Sequence, residues 1–291
     1  MLTNIITITL PIFGIAFVGF FYGRAAKPNL SGANKLVIDI ALPCLIFISL
    51  GNRSFDPISA LHFTGGAIAL ILLSGLLAIA IRWLSGASKE ALLPCVMFAN
   101  VGPVGIPLIA LAFGPKGLPY SIVLLVISNL LHFTVGASIM SGRIDWRLVY
   151  ANPLVWATIL GLLSAQLRLE LPAPLSTSLT MIGNVLVPMM LLSLGVRLSD
   201  AKVSDSTVGI KSSILAMLVR MISVYVILMF IPVQGIERGA LILFACLPPA
   251  VFNFMLADKF DIEPNKVAST VIIGHILSLA FLPMGIWLAL S

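Results

Sequence analysis

Charged residues are scarce in this 291-residue chain: Asp, Glu, Lys and Arg make up 10% of it, whereas hydrophobic residues make up 59%. A soluble domain carries about 25% charged residues, so this composition excludes an ordinary soluble globular protein. A membrane-spanning helix needs about 20 mostly apolar residues. The chain therefore has room for about ten or eleven spans with short connections, and no separate soluble domain is expected.

Cysteine is also scarce, and its spacing excludes two kinds of site. Cys44, Cys95 and Cys246 lie far apart inside apolar runs, without a Cys-x-x-Cys pair. Neither a disulfide framework nor a metal site is expected. The sequence also lacks the Asp-rich motifs and the His-Glu-x-x-His helix of intramembrane enzymes. We therefore expect no catalytic residues and no resident cofactor.

The formal net charge is +6, but the 17 Lys and Arg residues stand in ones and twos between apolar blocks. A nucleic-acid partner is not expected, because binding nucleic acid requires a dense basic cluster. Scattered basic residues are instead typical of topology signals and of contacts with membrane lipid headgroups. No Lys or Arg precedes the first apolar run, which ends at Tyr22. A secretory signal begins with a positive region, so this first run is expected to be a retained span.

Breaks at Gly, Pro and charged residues divide the chain into ten predicted spans, which indicates an all-α integral membrane protein. Connections after odd-numbered spans hold twelve of the 17 Lys and Arg residues, and connections after even-numbered spans hold four. By the positive-inside rule, both termini are expected on the non-cytoplasmic side of the cell membrane. The predicted spans cover residues 3–23, 31–52, 58–84, 90–113, 118–141, 149–168, 175–197, 210–232, 237–258 and 265–290.

The ten spans divide into two similar halves of five, residues 1–146 and 147–291. Asp39 in span 2 recurs as Asn184 in span 7, at a shift of 145 positions. Because five is odd, the second half would cross the membrane in the opposite direction to the first. Such inverted repeats are typical of secondary transporters. Other positions matched at about this shift are Pro43 with Pro188, Asn129 with His275, and Pro103 with Pro248 or Pro249.

Spans 4 and 9 are interrupted near their centres. Proline removes a backbone donor and clashes with the preceding turn, so both spans should unwind there. Freed backbone groups cannot face lipid, so we expect them to line a wet cavity that binds a substrate or an ion. Two simple proline kinks are the alternative, but their matching repeat positions favour a binding site. The residues of these breaks are Asn100, Gly102, Pro103 and Gly105 in span 4, and Pro248, Pro249 and Asn253 in span 9.

Two motifs at these breaks resemble a known family. The stretch NVGPVGIPL, from Asn100 to Leu108, resembles the Asn-x(4)-Gly-Ile-Pro-Leu element of the auxin efflux carrier family. The stretch PPAVFNFMLADKFDIEPNKVASTVIIGHILSLAFLP, from Pro248 to Pro283, is similar to the second crossover and last span of that family. The resemblance extends over the whole chain, including the number of spans.

This resemblance implies a carrier whose broken helices 4 and 9 cross, with a fold like that of NhaA and the bile-acid symporters. Spans 1, 2, 6 and 7 would form a scaffold domain, and spans 3–5 and 8–10 a transport domain that moves like an elevator. The resemblance further implies that Asn100, Pro103 and Pro248 or Pro249 contact the substrate. A homodimer through the scaffold domain is a further expectation.

Several polar residues lie inside predicted spans, where ionisable groups often mark ion pathways. Asp39 is either a coupling carboxylate or the partner of Lys35, four residues earlier on the same helix face. Arg220 is either the counter-charge of an anionic substrate or the partner of a carboxylate or of freed carbonyls. His132 and His275 could titrate near neutral pH or serve as structural hydrogen-bonding residues. Asn129 and Asn184 complete the candidates for ion coupling or charge.

The sequence thus predicts a secondary active transporter of a small organic anion. The resemblance suggests a carboxylate such as malate or malonate, or an auxin-like acid. The coupling ion is left open between H⁺ and Na⁺. The alternatives are a sodium-coupled carrier of a larger anion, like the bile-acid symporters, and a passive channel. A channel would require a continuous polar stripe, whereas the polar residues here gather near the centre of the spans.

Overall fold

A computed structural model describes residues 2–51, 61–143, 146, 150–200 and 203–291. The described residues are about 85% helical and contain no β-strand. The starts of the spans predicted at residues 58 and 149 lie outside the described residues, as do residues 144, 145 and 147–149 around the predicted boundary between the two halves. Three basic residues counted above, Arg53, Arg147 and Lys202, also lie outside them.

Seven of the described helices are long and apolar enough to cross a membrane. Five shorter helices complete the described architecture. The long helices are α1 (Leu2–Ala26), α2 (Ser31–Leu50), α3 (Leu61–Leu84), α6 (Leu118–Ser141), α8 (Ala173–Asp200), α9 (Ser206–Phe230) and α12 (Pro264–Leu290). The short helices are α4 (Lys89–Met97), α5 (Val101–Lys116), α7 (Pro153–Gln166), α10 (Gly235–Cys246) and α11 (Val251–Phe260).

The four short helices α4, α5, α10 and α11 result from two interruptions in the chain. The predicted span 90–113 is split into α4 and α5, and the predicted span 237–258 is split into α10 and α11. With a rise of 1.5 Å per residue, α4 and α11 are each about 15 Å long, half the hydrocarbon thickness of a bilayer. Both interruptions therefore occur where the sequence predicted unwinding.

Proline placement explains where these helices begin and end. Pro248 and Pro249 follow α10 after a single residue, Leu247, and cannot continue its hydrogen-bond ladder. Pro103 lies in the first turn of α5, where the missing N–H would have no intrahelical partner anyway. Ser88 caps α4, because its Oγ accepts a hydrogen bond of 3.2 Å from the Ala91 N–H.

The helices pack in two sets around these interruptions. In one set, α1 packs along α8, and α2 packs against α7 and α8. In the other set, α9 packs against α3, α4, α10 and α12. The approach of α1 to α8 is unusually close, since a Cβ built on Gly19 would lie 2.2 Å from the Leu192 carbonyl oxygen. Small residues at such a crossing let two membrane helices approach closely.

A polar link joins the connection before α4 to the connection before α12. Glu263 accepts hydrogen bonds from the Ser88 N–H at 2.7 Å and from the Lys266 ammonium at 2.6 Å. Partial burial raises the pKa of the Glu263 carboxyl, but the bonds from Lys266 and Ser88 outweigh it, so the net pKa lies below its ordinary value. The ionised carboxylate therefore ties together two connections that are distant in the sequence.

Candidate functional site

The two interruptions pair with each other through their backbones, and we call this paired region the crossing. The Asn100 N–H donates to the Pro248 carbonyl at 2.8 Å, and the Ala250 N–H donates to the Phe98 carbonyl at 3.0 Å. Ala99 and Pro249 form an antiparallel bridge between these two bonds. Proline has no N–H, but this bridge requires none from Pro249, because the flanking residues supply both donors.

Arg220 on α9 binds the carbonyls that the interruptions leave free. Its guanidinium donates to the carbonyls of Cys95 and Val96 at the end of α4, at 3.2 and 3.0 Å. It also donates to the carbonyls of Ala245, at 3.2 Å, and Leu247 at the end of α10. The carboxyl ends of two helices carry partial negative charge, which compensates this fully buried cation.

This pairing adds contacts that the sequence did not predict. We expected the freed backbone groups to line a wet cavity, and several of them are paired within the protein, with the other interruption or with Arg220. The reason is geometric, because two extended segments that cross can exchange hydrogen bonds as β-strands do. Backbone groups paired in this way need no water.

A cavity of about 310 Å³ lies beside the first interruption. Gly102 and Pro103 line it, together with Asn129 on α6. No Asp or Glu is among the residues that line this cavity, as far as the chain is described. Its other polar lining residues are Asn34 on α2, Asn100, Ser128 and His132, Asn152 before α7, and Ser193 and Arg197 on α8.

Arg197 is the charged residue of this cavity that sequence reasoning missed. From the sequence, Arg197 was expected only to mark the orientation of the chain in the membrane. In the structure, its side chain lines the cavity and forms no ion pair with any described residue. Arg197 is exposed and Asn100 is 4% exposed, which places Arg197 toward the open end of the cavity and Asn100 toward the closed end. Ser193 lies four residues before Arg197 on the same helix face, a spacing that could have indicated this polar surface.

Asn100 connects the interruption, the cavity and α12. Its side-chain Nδ2 lies 2.8 Å from Nε2 of His275, which is buried on α12. The other ring nitrogen of His275, Nδ1, lies 2.8 Å from the Val271 carbonyl oxygen. Two of the predicted site residues, from opposite halves of the chain, are therefore in direct contact.

Asn253 on α11 also contacts the first interruption. Its Nδ2 donates to the Phe98 carbonyl at 3.3 Å, and its Oδ1 is buried without a hydrogen-bond partner in the described structure. It neighbours His132, whose ring stacks on Phe98 at a centroid distance of 4.2 Å. Asn253 is not among the residues that line the cavity, and its hydrogen bond to Phe98 links α11 to the first interruption.

The remaining predicted residues lie apart from the cavity. Pro248, Pro249 and Gly105 belong to the crossing itself, where a Cβ on Gly105 would lie 2.9 Å from a Leu247 methyl group. Asp39 and Asn184 are both exposed on the outer surfaces of α2 and α8. Asp39 also forms no ion pair with Lys35 or with any other described residue.

Comparisons with known proteins agree with this description. A family model described as "Membrane transport protein" matches residues 4–145 and 141–287. An "Uncharacterized transporter" of Methanothermobacter thermautotrophicus is 29% identical over 282 residues, covering 90% of both chains. A "Putative malonate transporter" of Rhizobium meliloti is 22% identical, covering 96% of this chain and 94% of its own. The "Uncharacterized transporter YfdV" of Escherichia coli is 21% identical, covering 99% of both.

The family match extends over nearly the whole chain, and the relatives align with it along most of their own lengths. All three relatives are named as transporters rather than as enzymes. Together with the long apolar helices, these matches identify a multi-pass membrane protein. The chain belongs to the membrane transport protein family, the auxin efflux carrier family that the motifs at its two helix interruptions resemble.

Proposed function

We propose that the chain is a secondary active transporter of a small organic anion, a mono- or dicarboxylate such as malate or malonate, or an auxin-like acid. The observation that carries this proposal is the cavity at the crossing, which combines one arginine, Arg197, with amide and hydroxyl groups and has no acidic residue among the described residues that line it. Arginine pairs with a carboxylate in a bidentate geometry, and amides can donate to its remaining lone pairs.

The size of the cavity favours a small substrate over a large one. About 310 Å³ is at the lower end of the usual range for small-molecule sites, roughly 300–1,000 Å³. A short carboxylic acid fits this volume, whereas a bile acid needs a larger site. The name of the Rhizobium meliloti relative refers to malonate, a carboxylate of suitable size.

The proposed architecture has ten membrane spans in two inverted repeats of five. The seven long helices would each form one span. The pairs α4 with α5 and α10 with α11 would each form one broken span, and α7 would bring the total to ten. The exchange of backbone bonds between the two interruptions supports this arrangement, because the interrupted segments of the two halves meet at the crossing.

Alternating access would result from movement between the two packed sets of helices. The scaffold domain would comprise α1, α2, α7 and α8, and the transport domain would comprise the remaining helices. The cavity supports this division, since Asn34 and Arg197 line it from the scaffold side and Asn100 and Asn129 from the transport side. The substrate would bind between the two domains and travel with Asn100 in an elevator-like motion.

Transport assays of single variants test the proposal. In proteoliposomes that contain the purified protein, we expect saturable uptake of labelled malonate or malate. Replacing Arg197 with Gln should raise KM about 10- to 100-fold, because hydrogen bonds to charged groups contribute about 1.5–3 kcal/mol. Asn100→Ala should abolish uptake while leaving the amount of folded protein unchanged.

Arg24→Gln is the matched control, since Arg24 is an exposed arginine at the end of α1 that does not line the cavity. Its uptake should equal that of the unmodified protein. Uptake that survives Asn100→Ala, or an equal response of the Arg24 and Arg197 variants, would contradict the proposed site.

A further inference from the structure

The contacts of His275 define the protonation state of both its ring nitrogens. The carbonyl oxygen of Val271, 2.8 Å from Nδ1, can only accept a hydrogen bond, so Nδ1 carries a proton. In the neutral ring, Nε2 then has no proton and can only accept. Its partner at 2.8 Å must therefore donate, and the Nδ2 amide group of Asn100 does so.

This contact determines which end of the Asn100 amide is available to a ligand. Because one N–H of Nδ2 donates to His275, the amide can offer the cavity that Asn100 lines only its second N–H and its acceptor Oδ1. Oδ1 repels a carboxylate oxygen. With a neutral His275, Asn100 thus offers an anion a single N–H beside a repelling oxygen, which is a poor orientation for binding it.

A proton on Nε2 of His275 reverses this orientation. The protonated ring donates from both nitrogens, so Asn100 must present Oδ1 to His275 and turn Nδ2 toward the cavity. Nδ2 then donates to the substrate carboxylate. We propose that His275 is the proton-binding site of this carrier and that its proton and the organic anion bind together through rotation of the Asn100 amide.

The surroundings of His275 favour joint binding over binding of the proton alone. The ring borders an apolar cavity of about 200 Å³, and a cationic ring is unfavourable there without a nearby anion. The buried titratable side chains on the helices packed against α12 are Arg220, Cys95 and Cys246, none of which is an acid that could neutralise the ring. The side chains that line this apolar cavity include those of Ile12, Phe13, Val104, Leu194 and Ile272.

Other titratable groups line the cavity in which the anion is proposed to bind. Arg197 and His132 line the larger cavity, and Arg197 would attract the anion without taking up a proton, since arginine stays charged. One proton therefore moves from solvent to Nε2 of His275 for each carboxylate bound, while Nδ1 keeps its proton throughout. Empty carrier returns with His275 neutral, so a monocarboxylate and its proton cross as an electroneutral pair, whereas a dicarboxylate dianion and one proton carry one net negative charge.

This inference rests on the proposed function, and its test separates the two. Binding of acetate, lactate, malonate and malate is measured calorimetrically in nanodiscs at about pH 6 and about pH 8, which bracket histidine titration. Buffers of different ionisation enthalpy report the protons taken up on binding. We expect about one proton per anion and an affinity that falls about tenfold per pH unit over the range of proton uptake.

His275→Gln keeps a group that can accept from Asn100 but cannot titrate. It should bind the same acid with no proton uptake and with an affinity independent of pH. His62→Gln is the matched control, because His62 is exposed on α3 and lines neither cavity, and it should keep the proton uptake of the unmodified protein. Proton uptake that persists in His275→Gln, or binding of an acid by the unmodified protein without proton uptake, overturns the inference but leaves the anion carrier intact.

A measurement on the unmodified protein covers the case in which His275→Gln does not fold. The chain has three histidines, so ¹⁵N labelling of histidine gives few imidazole signals. Nε2 of His275 should change from the unprotonated to the protonated ¹⁵N signature when the acid binds, and an unchanged signal overturns the inference. If none of the four acids binds at either pH, the proposed function itself fails and the inference falls with it.

Discussion

At the scale of single residues, the crossing depends on one buried cation. Arg220 is fully buried and donates to carbonyls at the ends of both α4 and α10. A buried charge is tolerated only where it is compensated, and here two helix ends provide the compensation. This arrangement corresponds to the second of the two roles that the sequence left open, as partner of freed carbonyls, and it makes Arg197 the better candidate for the substrate's counter-charge.

Replacing Arg220 with Gln should therefore destabilise the fold rather than weaken anion binding alone. Several carbonyls would lose their donor, and each unpaired buried group costs about 1–3 kcal/mol. We expect a lower yield of monodisperse protein and a lower melting temperature, with a smaller loss for Arg220→Lys. The measurement is fluorescence-detected size exclusion combined with thermal melting. A normally folded Arg220→Gln protein with weakened anion binding would instead favour the counter-charge role.

At the scale of helices, two kinds of close approach organise the molecule. The two interruptions contact each other through hydrogen bonds between extended backbone segments, whereas α1 and α8 come close together at glycine residues. A Cβ on Gly195 of α8 would lie 1.9 Å from the Ala16 carbonyl oxygen, a backbone atom that cannot move without displacing α1. The proposed scaffold thus contains a helix pair that depends on the absence of a side chain.

Gly195→Ala should separate α1 from α8 and lower stability by about 1–3 kcal/mol, the usual cost of overpacking. Gly14→Ala is the matched control, because a Cβ on Gly14 would meet no atom within 4 Å. Thermal melting of both purified variants in the same detergent gives the comparison. Equal melting temperatures for the two variants would contradict the packing described for α1 and α8.

At the scale of the whole molecule, the distribution of basic residues predicts the orientation in the membrane. Twelve of the 17 Lys and Arg residues lie in connections after odd-numbered predicted spans, the side expected to face the cytoplasm. Lys27 and Arg168 are exposed residues in connections that should lie on opposite sides of the membrane.

Cysteine labelling tests this orientation. In a cysteine-free background, Lys27→Cys should resist a membrane-impermeant maleimide in intact cells, and Arg168→Cys should react. Disrupting the membrane should make both reactive, which controls for buried sites. The opposite labelling pattern, or labelling of both positions in intact cells, would refute the predicted orientation.

The sequence by itself determined the membrane class, the family and the positions of both interruptions. Low charge and long apolar runs admit only a membrane protein, and proline ends a helix through local sterics alone. The contact between Asn100 and His275, 175 positions apart, arises only from tertiary structure. So do the role of Arg220 and the place of Arg197 in the cavity. Spacing along a chain reports which residues share a helix face, whereas only packing decides which faces meet.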